Sequence, residues 1–275
     1  MGRPSIGFQG EHGAYSEEAI YKQFGREVKT VPAVSIHEVF NLTEAGAVDL
    51  GVVPIENSIE GSINETYDML LSSNLAVVGE VVLRVVHCLI ALRTAHLAGI
   101  KVVYSHPQAL AQCRNFVESL GVEPRVTYDT AGSVKMIVAQ GSSDAAAVAG
   151  RAAAAAYGAH IVARNIEDDR ENFTRFLLIS RTARQRPGAN KTSIVFTTKN
   201  VPGALFRCLA TFALRDINLT KIESRPWRGR PWEYLFYLDF LGRPEATPGR
   251  QALSHLAELT SFLRVLGCYP RSRPR

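Results

Sequence analysis

The chain reads Glu171-Asn172-Phe173-Thr174-Arg175-Phe176-Leu177-Leu178-Ile179-Ser180 at the point where a polar segment meets an apolar run. The apolar run predicts a buried strand whose polar residues lie at its entry. Because successive side chains of a strand point to opposite faces, we expect Thr174 and Phe176 on one face and Arg175 on the other. Such an entry is typical of either a solvated edge strand or a binding site, and the choice depends on the rest of the chain.

The composition is that of a globular protein with a large core. The chain has 275 residues, of which 46% are hydrophobic, so it can form one large domain or two. The formal net charge is +5, and the basic excess collects near the C-terminus at Arg264, Arg271, Arg273 and Arg275. Since no basic run alternates with stacking aromatic residues, we predict a solvated tail and no nucleic-acid partner.

The cysteines and the most apolar segment indicate in which cellular compartment the protein is expected. Cys88, Cys113, Cys208 and Cys268 form no C-x-x-C pair, and no signal peptide is visible, so we expect reduced thiols and a cytoplasmic protein. Residues 75–92 are interrupted by charged residues, which predicts two core strands and no membrane span. No histidine, cysteine and acidic residues have the spacing of metal ligands, so no metal is expected.

A second polar segment follows a predicted buried strand over residues 49–53. It reads Pro54-Ile55-Glu56-Asn57-Ser58, at the end of a parallel-type strand where open α/β sheets place their ligands. Gly61 is expected to allow close backbone approach, and Ser62 to cap the next helix, with Glu65 completing a capping box. We predict a cradle for a carboxylate; the alternative is a loop whose polar groups only satisfy one another.

Strands and helices alternate through residues 1–181 in two blocks. The first opens with a strand at residues 5–8 and a glycine turn in which Ser16 is expected to cap a helix. The second contains Ser105-His106-Pro107-Gln108, with Pro107 in the first turn of one helix that ends at Gly121. A strand is expected at residues 126–128. His106 is a candidate base, although a histidine before proline is more often a turn residue bonded to backbone. The two blocks predict two α/β lobes that face a cleft.

The remainder of the chain predicts a separate small domain. Residues 182–191 have the composition of a linker, and residues 192–270 follow the order βαββαβ, which is the ferredoxin-like arrangement. Residues 271–275 form the basic tail. The predicted fold class is therefore α/β, with a two-lobed domain over residues 1–181 followed by a ferredoxin-like domain.

Taken together, these segments resemble the monofunctional prephenate dehydratases with a C-terminal ACT regulatory domain, within the arogenate/prephenate dehydratase family. The resemblance covers roughly residues 3–270. It rests on an ordered set of motifs: residues 10–16, Pro54–Ser58, Ser105–Gln108, Thr174–Phe176, Gly203–Phe206 and Glu223-Ser224-Arg225-Pro226. The resemblance implies a catalytic domain like the type II periplasmic binding proteins, a cytoplasmic homodimer or homotetramer, and no cofactor.

The resemblance also implies a reaction and its residues. Prephenate would lose its ring carboxylate as CO2 and its hydroxyl as water, giving phenylpyruvate in L-phenylalanine biosynthesis. Thr174 would act on the departing hydroxyl, and Phe176 would pack against the ring. Arg175, or backbone N–H groups at the Ser16 and Ser62 helix starts, would hold the carboxylates. The remaining substrate-binding candidates are Glu56, Asn57, Ser58, Gly61, Ser62, Ser105, His106, Gln108 and Asn172.

A second site is implied in the small domain, where L-phenylalanine would act as a feedback inhibitor. The expected residues are Gly203, Ala204, Leu205, Phe206, Asn218, Glu223, Ser224 and Arg225. Two alternatives stay open. The enzyme could act on arogenate, which carries an amino group where prephenate has a keto group, because several segments look like the plant-type branch. The same lobes could also form a non-enzymatic amino-acid sensor.

Overall fold

The computed structural model describes residues 3–183 and 187–272. Three predicted regions fall partly outside this range: the first two residues of the catalytic domain, residues 184–186 of the linker, and residues 273–275 of the basic tail. Across the described residues, no helix is long and apolar enough to span a bilayer.

The described elements alternate in type along most of the chain. The strands are β1 (Ser5–Gln9), β2 (Lys29–Ala33), β3 (Leu50–Asn57), β4 (Gly61–Ser62), β5 (Ala76–Arg84), β6 (Cys88–Ala91), β7 (Val102–Ser105), β8 (Glu123–Val126), β9 (Ala145–Ala149), β10 (His160–Arg164), β11 (Phe173–Ser180), β12 (Lys191–Thr197), β13 (Leu219–Pro226), β14 (Tyr234–Leu241) and β15 (Leu263–Tyr269). The α-helices are α1 (Tyr15–Phe24), α2 (Ile36–Ala45), α3 (Asn64–Ser72), α4 (Pro107–Gln112), α5 (Arg114–Leu120), α6 (Thr130–Gln140), α7 (Arg151–Ala156), α8 (Ala204–Ala213) and α9 (Thr247–Leu259).

Two sheets carry the elements before residue 181. The first has the order β2-β1-β3-β11-β5, with the short β4 paired to β3. The second has the order β10-β6-β9-β7-β8. The chain passes from the first sheet to the second between β5 and β6, and returns between β10 and β11, as the lobe prediction requires. Their central strands are almost fully buried, which explains the near-continuous apolar runs in the sequence.

Several predicted boundaries are corrected by the structure. α1 begins at Tyr15 with Ala14 as its N-cap, so Ser16 lies inside the first turn and caps nothing. Ser62 lies in β4, and Ile63 stands between it and the first residue of α3, so Ser62 is one position further from the helix than predicted. The single helix predicted from Pro107 to Gly121 is two short helices that meet at Cys113.

The strand predicted at residues 126–128 begins earlier in the structure, since β8 covers Glu123–Val126. All four of its residues are exposed, so no buried face marks its position.

The third sheet has the order β13-β14-β12-β15, and its elements follow the predicted βαββαβ sequence. One face packs against α8 and α9 around a core that includes Phe196, Phe212 and Phe240. On β12 the alternate residues Lys191 and Ser193 are buried as well. The predicted fold class is thus confirmed: two α/β sheets are followed by a ferredoxin-like arrangement.

Contacts divide the described chain into two compact units. One contains the residues up to Tyr67 together with Val81–Phe176, and the other contains Asp68–Glu80 together with Leu177–Ser272. In the second unit the Lys191 ammonium contacts Glu80 at 2.8 Å and Asp239 at 3.3 Å, with all three side chains buried. Residues 68–80 therefore pack with the ferredoxin-like elements, although they precede them by more than a hundred positions in the sequence. The predicted domain boundaries at 181 and 192 stay a prediction.

Candidate active site

Thr174 lies at the start of β11, and its side chain shares a face with that of Phe176, as the alternation of a strand predicts. Thr174 and Phe176 line a cleft of about 180 Å³ in the first unit, and Arg175 is not among the residues that line it. The fifteen described residues around the cleft are Tyr15, Ser16, Pro54, Asn57, Glu60, Ile63, Val85, His87, His106, Gln108, Ala109, Gln112, Thr130, Thr174 and Phe176. Of the predicted catalytic and substrate-binding residues, this set contains Asn57, His106, Gln108, Thr174 and Phe176.

The orientation of the Asn57 amide is set by the turn that follows β3. Its Oδ1 accepts hydrogen bonds from the backbone N–H groups of Ile59, at 2.9 Å, and Glu60, at 3.0 Å. Its Nδ2 therefore faces the other way, and it donates to Asn172 Oδ1 at 2.7 Å and to Thr174 Oγ1 at 3.0 Å. Because Thr174 Oγ1 accepts this bond, its own proton is not used in it.

The Arg175 guanidinium lies on the opposite face of β11 and already has a carboxylate partner. Its Nε lies 2.6 Å from Glu56 Oε1, and only 9% of the Arg175 side chain is exposed. This ion pair joins β11 to its neighbour β3. The structure thus places Glu56 and Arg175 together in a structural contact and does not bring either to the cleft.

Two further predicted residues make contacts that support the backbone. Ser58 Oγ donates to the Glu171 carbonyl at 2.7 Å and accepts from the Phe173 N–H at 2.8 Å. The Ser105 hydroxyl is fully buried and donates to the Val148 carbonyl at 2.6 Å.

Gly61 has φ +82°, and an added Cβ would meet nothing within 4 Å, so a positive φ rather than a close neighbour favours glycine there. The expectation that Gly61 allows close backbone approach stays a prediction, since the space beside it is open. His106 is the N-cap of α4 and accepts from the Gln108 N–H at 3.3 Å, which is the backbone-bonded role that is commoner for a histidine before proline.

Three of the cleft residues that were not predicted to bind substrate form a chain of contacts with Asn172. Gln112 Oε1 accepts from Asn172 Nδ2 at 2.8 Å and lies 2.9 Å from His87 Nε2. His87 Nδ1 in turn lies 2.8 Å from the Tyr15 hydroxyl, which also donates to the Val86 carbonyl at 3.0 Å. In the sequence His87 interrupts an apolar segment and Gln112 belongs to a helical pattern, whereas Tyr15 falls in the motif over residues 10–16. None of these patterns shows that the three side chains meet.

Two glycines allow Tyr15 to reach this position. Gly13 has φ +86°, and a Cβ there would lie 2.6 Å from the Cα of Ala153, so the turn before α1 packs directly on α7. A Cβ on Gly150 would lie 3.0 Å from the Tyr15 ring. Since neither position has room for a side chain, the Tyr15 ring is held between α7 and His87.

The cleft presents dipoles rather than side-chain cations to an anion. No lysine or arginine is among the described lining residues. The first turn of α1 contributes Tyr15 and Ser16, and α6 contributes its first residue, Thr130. Ala14, the N-cap of α1, offers no side-chain hydrogen bond to the first-turn amides. A helix N-terminus carries a partial positive charge, so this part of the cleft favours a carboxylate.

The residues predicted for a second ligand lie in the second unit. Gly203 is the N-cap of α8, and Phe206 is 75% exposed. Glu223 and Arg225 share a face of β13, where Glu223 lies 3.8 Å from Lys221 and Arg225 lies 3.5 Å from Asp68. Asn218 and Ser224 are exposed. Glu223 and Arg225, which were predicted to bind a zwitterion, therefore each form an ion pair with another side chain of the same unit.

Comparisons with known proteins agree on one family. A family model described as prephenate dehydratase matches residues 6–184. The chain is 47% identical, over 98% of its own length and 73% of the other, to arogenate dehydratase/prephenate dehydratase 2, chloroplastic, of Arabidopsis thaliana. The structure of prephenate dehydratase from Arthrobacter aurescens in complex with L-Phe superposes with a TM-score of 0.88 at 31% identity, covering 97% of this chain and 90% of that one.

A further solved structure, described as GqqA, a novel type of quorum quenching acylase, superposes with a TM-score of 0.90 at 34% identity and 98% coverage of both chains. It shares the fold with the dehydratase from Arthrobacter aurescens, so this architecture is found under more than one described activity. The family model covers most of the chain, and the chloroplastic relative is nearly half identical over almost the full length of this chain. The chain therefore belongs to the prephenate dehydratase family.

Proposed function

We propose that the protein converts prephenate to phenylpyruvate, with release of CO2 and water, and that Thr174 donates the hydrogen bond to the departing hydroxyl. One observation carries the proposal: Asn57 Nδ2 donates to Thr174 Oγ1, so the hydroxyl proton of Thr174 is available to a cleft ligand. The relatives named prephenate dehydratase support the reaction.

The chemistry needs little more than this contact and two anchored carboxylates. As the ring carboxylate leaves as CO2, its bonding electron pair enters the ring and the C–O bond to the hydroxyl breaks. The hydroxyl then leaves as water once it has gained a proton. A threonine hydroxyl has a high pKa, but a positioned donor contributes about 10²–10⁴-fold to such a step. The Asn57 N–H stabilises the negative charge that develops on Thr174 Oγ1 as the proton moves away.

The groups that line the cleft indicate what would bind the two carboxylates of the substrate. Of the two sources considered, a guanidinium or helix amides, the geometry favours the amides at the start of α1, since Arg175 is paired with Glu56. Phe176 contributes an apolar wall to the cleft, as does Ile63. An apolar wall excludes water and strengthens hydrogen bonds to a charged substrate.

Arogenate is a second candidate, and one observation favours it. The Glu60 carboxylate lines the cleft, with its Oε1 3.4 Å from Gln112 Nε2. Arogenate carries an ammonium group where prephenate has a keto group, and a carboxylate attracts an ammonium. Several relatives, including the one from Arabidopsis thaliana, carry both activities in their names.

The experiment is the measurement of kcat/KM on both substrates for the wild type and for Glu60→Gln. We expect turnover of prephenate by both proteins and a selective loss on arogenate in the variant. A higher kcat/KM on arogenate in the wild type would reverse the assignment. Failure of the purified protein to turn over either substrate would favour the amino-acid sensor.

An acylase activity is less consistent with the site. Acyl transfer through a hydroxyl requires an adjacent base, and the partner of Thr174 in the cleft is the amide nitrogen of Asn57, which cannot accept its proton. The contact instead leaves Thr174 as a hydrogen-bond donor, which suits a dehydration.

We also propose that the ferredoxin-like elements form an ACT regulatory domain that binds L-phenylalanine, and that the protein is a homodimer or homotetramer. The relative from Arthrobacter aurescens was solved with L-Phe, which supports the first part. Exposed apolar side chains on these elements, including Phe206, Leu214 and Ile222, support the second. A cytoplasmic location stays a prediction.

A further inference from the structure

A chain of hydrogen bonds runs from the turn after β3 to the first turn of α1, and its direction follows from one fixed point. Two backbone N–H groups orient the Asn57 amide, so Asn57 Nδ2 must face Asn172 Oδ1. Asn172 then presents its Nδ2 to Gln112, at 2.8 Å, and Gln112 must present its Oε1. Each amide has only one way to satisfy its neighbour.

The next link assigns the proton on His87. Gln112 Oε1 cannot donate, yet it lies 2.9 Å from His87 Nε2, so Nε2 must carry a hydrogen. A neutral imidazole has one N–H group, which leaves Nδ1 as an acceptor. The Tyr15 hydroxyl lies 2.8 Å from Nδ1 and 3.0 Å from the Val86 carbonyl, so its single proton has two acceptors within reach. The geometry thus specifies the Nε2–H tautomer.

The surroundings of His87 are consistent with a neutral ring. The side chain is almost fully buried, and this burial lowers the pKa of His87, against smaller opposing effects from Gln112 and Glu167. The Glu167 carboxylate faces the backbone N–H of His87 at 3.0 Å and is itself paired with Arg84. Burial also raises the pKa of Tyr15 well above its ordinary value, with the neighbouring thiols of Cys113 and Cys88 adding to the effect, so its hydroxyl keeps its proton.

We propose that Tyr15 and His87 are positioning residues for the dehydration: Tyr15 helps to hold the His87 imidazole in the Nε2–H form, and this N–H joins Asn172 in holding the Gln112 amide with its NH2 group towards substrate. The proposal rests on the assignment of this cleft as the dehydratase site. Gln112 Nε2 already lies within 3.4 Å of Glu60, a cleft residue, which shows the direction in which it donates. Without the N–H of His87, Asn172 alone would hold Gln112 Oε1, so the Gln112 amide would lose one of the two donors that keep its oxygen turned away from the substrate.

This arrangement links the two sheets at the active site. Tyr15 follows β1 and Asn57 ends β3 in the first sheet, whereas His87 precedes β6 and Gln112 follows β7 in the second. The aromatic ring of Tyr15 also meets the His87 ring edge-on, with centroids 5.5 Å apart. A buried polar pair lowers the free energy of unfolding unless each group has a hydrogen-bond partner. A purely structural core would therefore favour apolar residues at these two positions.

The test combines kinetics with a direct reading of the tautomer. In uniformly ¹⁵N-histidine-labelled wild type at pH 7.5, the ring nitrogens of His87, assigned by comparison with His87→Gln, should show the neutral Nε2–H form. His87→Leu should lower kcat/KM on prephenate about tenfold or more. His87→Gln, whose amide can place an N–H near the position of Nε2, should recover to within about threefold of wild type. Tyr15→Phe should lower kcat/KM about two- to tenfold, as expected for one lost hydrogen bond, and should populate the Nδ1–H form.

A matched control is available on the same helix. Tyr21→Phe also removes a hydrogen bond from a tyrosine hydroxyl, in this case to Glu17. Because Tyr21 contacts no member of the hydrogen-bond chain, the kcat/KM of this variant should equal that of wild type. A wild-type His87 that is cationic or in the Nδ1–H form would overturn the proposal, as would a His87→Leu variant within threefold of wild type. If His87→Leu does not fold, Tyr15→Phe tests the same proposal through both its rate and its tautomer, and a wild-type rate with an unchanged tautomer would overturn it. The tautomer reading also separates this proposal from the proposed function, since it requires no turnover.

Discussion

Asn57 Nδ2 lies 3.0 Å from Thr174 Oγ1 and can only donate to it, so Thr174 is a hydrogen-bond acceptor in this contact and does not use its own proton there. This relationship joins residues 117 positions apart in the sequence. Under the proposed function it makes separate predictions for the two side chains, because Thr174 would supply the proton and Asn57 would stabilise the oxygen that loses it.

Replacing Thr174 by alanine removes the donor itself. We expect Thr174→Ala to lower kcat about 10²–10⁴-fold with little change in KM, because the hydroxyl acts mainly in the transition state. Thr174→Ser, which keeps the hydroxyl, is the matched control and should retain most of the activity. Steady-state kinetics on prephenate measure both. A kcat within threefold of wild type in Thr174→Ala would exclude Thr174 as the donor.

Replacing Asn57 by aspartate keeps the shape of the side chain and reverses its hydrogen bonding. The carboxylate can still accept from Ile59 and Glu60, but it cannot donate to Thr174 or Asn172. We expect kcat to fall about 10- to 100-fold, the equivalent of roughly 1.4–2.8 kcal/mol. Circular dichroism and the thermal midpoint should show that the fold is intact. Unchanged kinetics in Asn57→Asp would mean that Thr174 needs no donor from the protein.

Arg175 is predicted to act on stability rather than on substrate binding. The ion pair with Glu56 is largely buried on the arginine side, and removal of one partner takes this contact away from a charge that is shielded from water. We expect Arg175→Met and Glu56→Gln each to lower the free energy of unfolding by about 1–3 kcal/mol in urea titrations. KM should change less than threefold. A KM raised a hundredfold with unaltered stability would instead make Arg175 a ligand of a substrate carboxylate.

Regulation is best tested with point variants of β13. A truncation after Arg181 would remove the elements that pack with residues 68–80, so loss of activity in the fragment would be ambiguous. If L-phenylalanine binds at Arg225, Arg225→Ala should raise the inhibitory concentration of L-phenylalanine about tenfold, within the usual range of coupling free energies. Turnover without effector should be retained.

Asp68→Asn is the control for that variant, because it breaks the same ion pair from the other side. Inhibition should survive in Asp68→Asn, as activity measured against L-phenylalanine concentration would reveal. Wild-type inhibition curves in Arg225→Ala and Glu223→Ala alike would place the effector in the cleft and make it a competitor of the substrate.

Acid sensitivity should arise in part from Glu17 at the start of α1. Burial alone would raise the pKa of this carboxyl, but hydrogen bonds from Gly13, His12, Thr30 and Tyr21 outweigh burial and lower it. The folded protein therefore holds this proton less tightly than the unfolded chain. The resulting stability is complete above about pH 4.5, the ordinary value, and is lost as the pH falls through the lower folded value.

The neutral isostere Glu17→Gln isolates this contribution. We expect the variant to be less stable at neutral pH, by on the order of 1 kcal/mol, and to show a smaller loss of thermal midpoint between pH 6 and pH 3. The measurement is the midpoint as a function of pH for both proteins. Parallel curves would show that the carboxylate contributes nothing to the acid sensitivity.

The sequence predicts the elements of this fold well wherever one face is buried. The alternation along β11 separates Thr174 and Phe176 from Arg175 as expected, and the βαββαβ order predicted for the last part of the chain is found there. The sequence-based prediction fails where the local pattern carries no signal for an element or its boundary. β8 is wholly exposed, and the apolar spacing continues across the break at Cys113 between α4 and α5.

The active site was predictable only in part, for a different reason. Asn57 and Thr174 belong to recognisable motifs at strand ends, where ligands collect in α/β sheets. Tyr15 lies in the motif over residues 10–16, and His87 lies in a segment that looks like the plant-type branch, but neither pattern indicates that the two side chains meet. Their role depends on contacts among five separate segments of the chain, which local spacing cannot show. The partner of Arg175 is not predictable from the Thr174–Phe176 motif. Glu56 belongs to a segment that was predicted to line the cleft, but its side chain lies on the face of β3 that points away from the cleft.

The turn over residues 57–60 has a consequence for attempts to change the substrate of this protein. Two backbone N–H groups there set the direction of every hydrogen bond from Thr174 to Tyr15. Redesign of the residues in this hydrogen-bond chain would need several compensating substitutions at once, because each amide has one acceptable orientation. Ile63, Val85 and Thr130 line the same cleft and stand outside the hydrogen-bond chain. A library confined to those three positions could reshape the pocket for a bulkier or less polar cyclohexadienol while the proton-donating end stays intact.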